Sequence, residues 1–242
     1  MAIISNTVGY LDGDVLLEGF FAYDDRVEGR RPAVMINHAW SGRNGFVEEK
    51  ALLLAEMGYF AFAVDMYGKG ILGQGIEQSS KLMQPFMDDR SLVIRRMNAA
   101  LYAVKLLPWV DDKKVAAIGF CFGGLCVLDL ARSGADIKGV VSFHGLLDAP
   151  SAGSLKSKIT AKLLVLNGAE DPMVSSKQLN DLQQELTDAD ADWQVHNYSQ
   201  TMHAFTNPVA NDPDFGTVYQ PVSDRRSWES MKTFLNEIFQ SQ

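Results

Sequence analysis

The chain has 242 residues, 47% of them hydrophobic, and a formal net charge of −8. That length suits one large α/β domain with a sizeable core, and the acidic balance argues against nucleic acid or an anionic membrane as partner, since both reward clustered Lys and Arg. No apolar run approaches the ~20 residues that span a bilayer, and Met1 to Ser5 lack the basic region of a signal peptide, so a cytoplasmic protein is expected.

Ile3 to Leu11 and Val15 to Tyr23, parted by Asp12-Gly13-Asp14, predict an antiparallel hairpin. Ala33 to His38 is a nearly unbroken apolar run, as in a strand covered on both faces. Phe46 to Met57 places Val47, Ala51 and Leu54 on one helical face, and Gly58 ends it. Phe60 to Val64 is a second buried strand that leaves through Asp65 into a glycine-rich loop reaching Gly75. Glu77 to Leu107 reads as helix with a break at Pro85 to Asp89, because proline lacks an amide donor and disfavours helix before it; Pro108 is the stop. Val115 to Phe120 is a strand, followed by a helix from Leu125 to Arg132. Ile137 to Phe143 and Ala161 to Asn167 are further strands, joined by a polar loop carrying Asp148, Ser151 and Ser154. A helix from Ser175 to Thr187 leads to the strand Asp192 to Tyr198, and a long irregular loop runs to Pro221. The final helix aligns Trp228, Met231, Leu235 and Ile238. Strands alternating with helices predict an α/β fold over residues 1–242, with a mostly parallel sheet, helices on both faces, and function in the loops beyond the strands' carboxyl ends.

One such loop carries a reactive atom. Val115-Ala116-Ala117-Ile118 leads into Gly119-Phe120-Cys121-Phe122-Gly123, the Gly-x-nucleophile-x-Gly pattern of a strand-to-helix elbow with sulfur in place of the hydroxyl. The glycines are needed because the turn brings backbone segments together where a Cβ would collide. The helix that starts there aims its amides at the sulfur and favours thiolate. Cys126 lies too far along the same helix to form a disulfide with Cys121, so both read as free thiols in a reducing compartment.

An elbow nucleophile needs a base, and the base needs an acid, in the chain order nucleophile, acid, histidine. Asp171 and His203 follow later buried strands in that order. Gly119 to Gly124, Gly168-Ala169-Glu170-Asp171-Pro172-Met173-Val174 and Met202-His203-Ala204-Phe205 together resemble the dienelactone hydrolase family of α/β-hydrolases. The resemblance runs from about Ala33 to the last helix. It implies an α/β-hydrolase fold, Cys121 as nucleophile, His203 as general base, and Asp171 as the acid orienting His203, with Glu170 as its rival. The reaction would cleave a small-molecule ester or lactone through an acyl-thioester intermediate on Cys121, which water then hydrolyses. The oxyanion of acyl transfer calls for two backbone donors, expected at Phe122 and Trp40. His38 and His144, at strand ends, are assigned structural or pocket-lining roles, and His196 a structural one. No metal and no other cofactor is expected, since the histidines and cysteines lack ligand spacing.

The pattern departs from the family at three places. Ala39 stands where the family has a glutamate near the thiol; Asn207 and a position near Ile76 stand where it has two arginines that hold the substrate carboxylate. Arg43 or Arg90 are the candidates to compensate. Without that clamp an acidic dienelactone is a poor substrate. Trp40, Tyr67, Phe86, Met173 and Phe205 are candidates for an apolar pocket. The alternatives are a thiol-redox protein built on a low-pKa Cys121 and a non-catalytic binding protein on the same fold. A monomer or small homo-oligomer is expected.

Overall fold

The computed structural model describes residues 2–150 and 158–240; Ser151 and Ser154 of the predicted polar loop lie outside them. The chain forms two compact units, Met1–Ile118 and Gly119–Gln242, and passes from one to the other within a single strand, β5 (Val110–Phe120).

The first unit opens with the hairpin β1 (Ile3–Asp12) and β2 (Val15–Asp24), antiparallel from Ile3 opposite Asp24 to Asp12 opposite Val15. Gly13, at φ 58°, makes its turn. β3 (Arg31–Asn37) and β4 (Phe60–Ala63) run parallel, and β4 also pairs antiparallel with β2, giving the order β1-β2-β4-β3. Every residue of β4 is buried, which explains its unbroken apolar sequence. Phe60 and Phe62 alone contribute about 1.5–3 kcal/mol each by leaving water. Helix α1 (Gly45–Glu56) is capped by the Asn44 side chain and packs on β2 and β4 through Val47, Ala51 and Leu54.

Helices α2 (Gly75–Asp88) and α3 (Arg90–Lys105) part within the expected Pro85 to Asp89 stretch, but for a different reason. Pro85 lies inside α2 and does not end it. The interruption falls on Asp89, whose carboxylate accepts the Ser91 N–H (2.9 Å) and so starts α3. α3 packs on β1, where Arg95 and Arg96 both bind the Asp12 carboxylate. Beyond β4, Asp65 accepts the N–H groups of Glu18, Tyr67 and Gly68, and the Tyr10 hydroxyl donates to its carbonyl. The loop leaving the strand is therefore fixed by Asp65, its second residue. β5 starts five residues earlier than the apolar run suggested: Asp111 to Lys114 extend it with half-buried and exposed side chains.

The second unit holds three parallel strands in the order β6-β7-β8: β6 (Gly139–Phe143), β7 (Lys162–Gly168) and β8 (Trp193–Tyr198). Helix α4 (Phe122–Arg132) is buried along its whole length. Its last residue, Arg132, is paired with Asp129 and Glu185 and donates to the carbonyl of Leu147 (2.9 Å), which satisfies a cation that burial would otherwise penalise. Helix α5 (Ser176–Asp188) begins with a capping box between Ser175 and Gln178. Helix α6 (Pro221–Gln240) packs on β6 and β7 through Met231, Phe234, Leu235 and Ile238. It comes close because Gly139 has no side chain; a Cβ there would sit 2.9 Å from Ile238. The long loop before α6 is not irregular throughout. It contains a two-stranded ribbon, β9 (Asn211–Asp212) and β10 (Thr217–Val218). Among the described residues no helix is long and apolar enough to cross a membrane.

Candidate active site

Cys121 occupies the single residue between β5 and α4, at φ 55° and ψ −117°. L-residues avoid that conformation at a cost of order 1–3 kcal/mol, so it persists only where surrounding bonds impose it. The Cys121 N–H donates to the Phe143 carbonyl (3.0 Å) and to Nδ1 of His144 (3.2 Å), and its carbonyl accepts the Gly124 N–H (2.9 Å). The elbow has room only because of glycine: a Cβ on Gly119 would lie 2.0 Å from the Gly123 carbonyl oxygen. One on Gly124 would lie 2.6 Å from the Gly145 Cα, a second close approach outside the five-residue pattern. Cys121 is half-buried. Phe122, the first residue of α4, presents its backbone N–H at the helix N-terminus.

Asp171 and His203 come from the loops after β7 and β8. Thr201 and Met202 cross over Gly168, where a Cβ would meet the Thr201 carbonyl at 2.4 Å. Asp171 Oδ1 accepts the Met173 N–H (2.8 Å), which leaves Oδ2 to accept the His203 Nδ1–H at 2.7 Å. The ribbon holds the histidine: its N–H donates to the Gly216 carbonyl (3.0 Å) and its carbonyl accepts the Val218 N–H (3.0 Å). Gly216, at φ 81°, seats against Pro172, beside the acid. Asp171 is 5% exposed and His203 1%. Burial pushes the imidazole's pKa down, but the charge of Cys121, the hydrogen bond donated to Asp171 and the neighbouring sulfur outweigh it and raise it to about 10. The ring therefore favours its protonated form, with Nε2 buried and lacking a well-aligned hydrogen-bond partner.

The other expected residues divide. Glu170 is exposed, and the buried Asp171 alone bonds His203. His38 is buried in the first unit: its Nε2 accepts the Met66 N–H (3.2 Å), so Nδ1–H donates to the Ala39 carbonyl (2.6 Å). Trp40 is half-buried there, its carbonyl accepting the Tyr67 hydroxyl (2.8 Å). His196 meets Ser230 Oγ at 3.2 Å on β8. Arg43 is committed to Glu18 and Glu48, and Ile76 is exposed. Phe86 and Phe205 are buried, at 4% and 0% exposure. His144 is the residue that sequence reasoning undervalued: besides accepting from Cys121, its ring stands edge-on to His203 with centroids 5.0 Å apart. Its only signal was its place at the end of a buried strand. Among the described residues no cluster of His, Cys, Asp or Glu could hold a metal ion.

Parallel strands feeding a strand-to-helix elbow, with an acid and an imidazole returned by later strand-end loops, define the α/β-hydrolase class. Within it, the profile of the dienelactone hydrolase family matches residues 17–239. The chain belongs to that family, and it is a hydrolase of ester or lactone bonds acting on small molecules. The crystal structure of a dienelactone hydrolase-like promiscuous phosphotriesterase from metagenomic libraries aligns with a TM-score of 0.94 at 37% identity, over 99% of this chain and 100% of that one. An uncharacterised protein of Caenorhabditis elegans is 36% identical over 146 residues, 60% of this chain and 92% of its own. The carboxymethylenebutenolidase of Pseudomonas putida is 27% identical over 123 residues, 48% of this chain and 50% of its own.

Proposed function

We propose that the whole chain acts as one cysteine-dependent esterase or lactonase, with Cys121 as nucleophile, His203 as proton carrier and Asp171 as the group that orients and charges His203. The observation that carries this is the 2.7 Å bond between His203 and Asp171, together with the raised pKa that Cys121 imposes on the same ring. A thiolate–imidazolium pair attacks the carbonyl carbon with sulfur. The resulting oxyanion is held by the Phe122 amide at the helix N-terminus. When the tetrahedral intermediate collapses, the C–O bond breaks and the leaving oxygen takes the proton from His203. The neutral ring then deprotonates water, which attacks the thioester, releases the acid and restores the pair.

Asn207 and Ile76, in place of the arginine clamp, favour substrates without a carboxylate. That preference extends to a second reading, neutral phosphotriesters, supported by the 37% identity to a promiscuous phosphotriesterase. Against a redox role, Cys126 is fully buried and gives Cys121 no resolving thiol. Two free cysteines suit a reducing, cytoplasmic setting.

The test is hydrolysis of aryl esters, lactones with and without a carboxylate, and a neutral phosphotriester, with mass spectrometry of the trapped adduct. Cys121→Ala and His203→Ala each abolish turnover, and the acyl mass maps to Cys121. Wild-type turnover in either purified variant removes the assignment.

A further inference from the structure

Five non-glycine residues among those described have positive φ, and three of them gather around one imidazole. Cys121 (φ 55°) donates its N–H to His144; His144 is itself at φ 38°; and Ala204 (φ 56°) follows His203, whose ring the His144 ring touches edge-on. Strain of this kind is held by its surroundings or it relaxes. The surroundings of His144 are specific. Its own N–H donates to the Leu166 carbonyl (2.8 Å), and its ring lies against Phe205. Its Nδ1 accepts from Cys121, so the ring proton sits on Nε2 and donates to Thr206 Oγ1 at 2.8 Å. Thr206 is 1% exposed and comes from the same loop as His203. A neutral ring is also the form compatible with a protonated His203 at that distance, because two adjacent cations in a buried site repel.

We propose that His144 is a positioning residue: by accepting the nucleophile's own amide it keeps Cys121 in its strained conformation, and Thr206 keeps His144 in the tautomer that can accept. Without His144 only the Phe143 carbonyl still accepts the Cys121 amide, so the backbone shifts from its strained φ and the sulfur loses its alignment with His203. This inference rests on Cys121 being the nucleophile. It adds to that reading a relay from the His203 loop back to the elbow, Thr206 to His144 to Cys121.

Substitution separates position from bulk. Asn places Oδ1 where His places Nδ1 and tolerates positive φ, so His144→Asn keeps the acceptor, whereas His144→Ala removes it. Iodoacetamide alkylation of Cys121 at pH 6, assigned by peptide mapping, reads the thiolate directly. His144→Ala loses about 10–10²-fold in that rate and in kcat with KM nearly unchanged, the scale of a misplaced reacting group. His144→Asn recovers most of the loss, and Thr206→Val falls between. Wild-type alkylation and kcat in His144→Ala overturn the proposal, as does a folded His144→Asn no better than His144→Ala. Should His144→Ala fail to fold, Thr206→Val decides: an unchanged alkylation rate overturns the relay. Failure of the nucleophile assignment shows elsewhere, as ester turnover surviving in Cys121→Ala, so the two readings fail separately.

Discussion

His38 in the first unit and His203 in the second are both buried imidazoles that follow parallel strands, yet they are driven in opposite directions. Burial pushes His38 down to about 4, opposed chiefly by one backbone carbonyl, that of Ala39. The same burial acts on His203, but Cys121 and Asp171 raise it to about 10. Taking an imidazole out of water discharges it; only negative groups placed against it restore the proton. A neutral ring that accepts one amide and donates to one carbonyl organises backbone. A ring between a sulfur and a carboxylate keeps its proton instead.

The largest effect comes from erasing that difference. Asp171→Asn keeps the shape but removes the charge and the tautomer control, and turnover should fall by about 10⁴-fold, the cost of the same change in a serine triad. A fall under tenfold in steady-state ester assays would mean that His203 does not depend on Asp171.

Stability against pH sharpens the contrast. The folded pKa of His203 lies above its unfolded value near 6.5, so its contribution is complete below pH 6.5 and lost as pH rises through about 10. That of His38 lies below, so stability is withdrawn as pH falls from 6.5 toward about 4. Urea midpoints across this range should therefore decline at both ends. In Cys121→Ala the alkaline decline should shrink, because the first-named raising charge is gone, while the acid decline stays. An alkaline limb identical in the variant would break the assignment of that charge to Cys121.

The smallest effect is expected at Ser142, a buried hydroxyl of β6 without a hydrogen-bond partner. It has neither the backbone partners of His38 nor the charges of His203, so removing it forfeits no bond. Ser142→Ala should change the urea midpoint by no more than about 0.5 kcal/mol equivalent, or raise it slightly. A large loss would mean that the hydroxyl is engaged after all.

Much of this was legible in the sequence where one physical cause dominates. The apolar runs of β3, β4, β6 and β7 had no alternative to burial, and the glycines around Cys121 follow from a turn too tight for a Cβ. Asp171 and His203 were found by order and context, and the structure brings them to 2.7 Å. What escaped was set by long-range pairing. Asp111 to Lys114 carry too much charge to read as strand, yet they extend β5. β9 and β10 are two residues each, too short for periodicity to register. The break falls within the expected Pro85 to Asp89, but its cause is the Asp89 cap and not the proline, which stays inside α2. His144 could not be distinguished from any strand-end histidine until its ring was seen between Cys121 and Thr206.

The contact of Gly216 with Pro172 has a consequence for how this enzyme can change. It closes the segment from His203 to Gly216 into a ring of fixed circumference, tied at one side to the imidazole and at the other to the neighbour of the acid. Surface turns elsewhere on the chain can be lengthened at small cost, whereas an extra residue inserted here must displace His203. Side chains along this segment can therefore be exchanged more readily than its length can change.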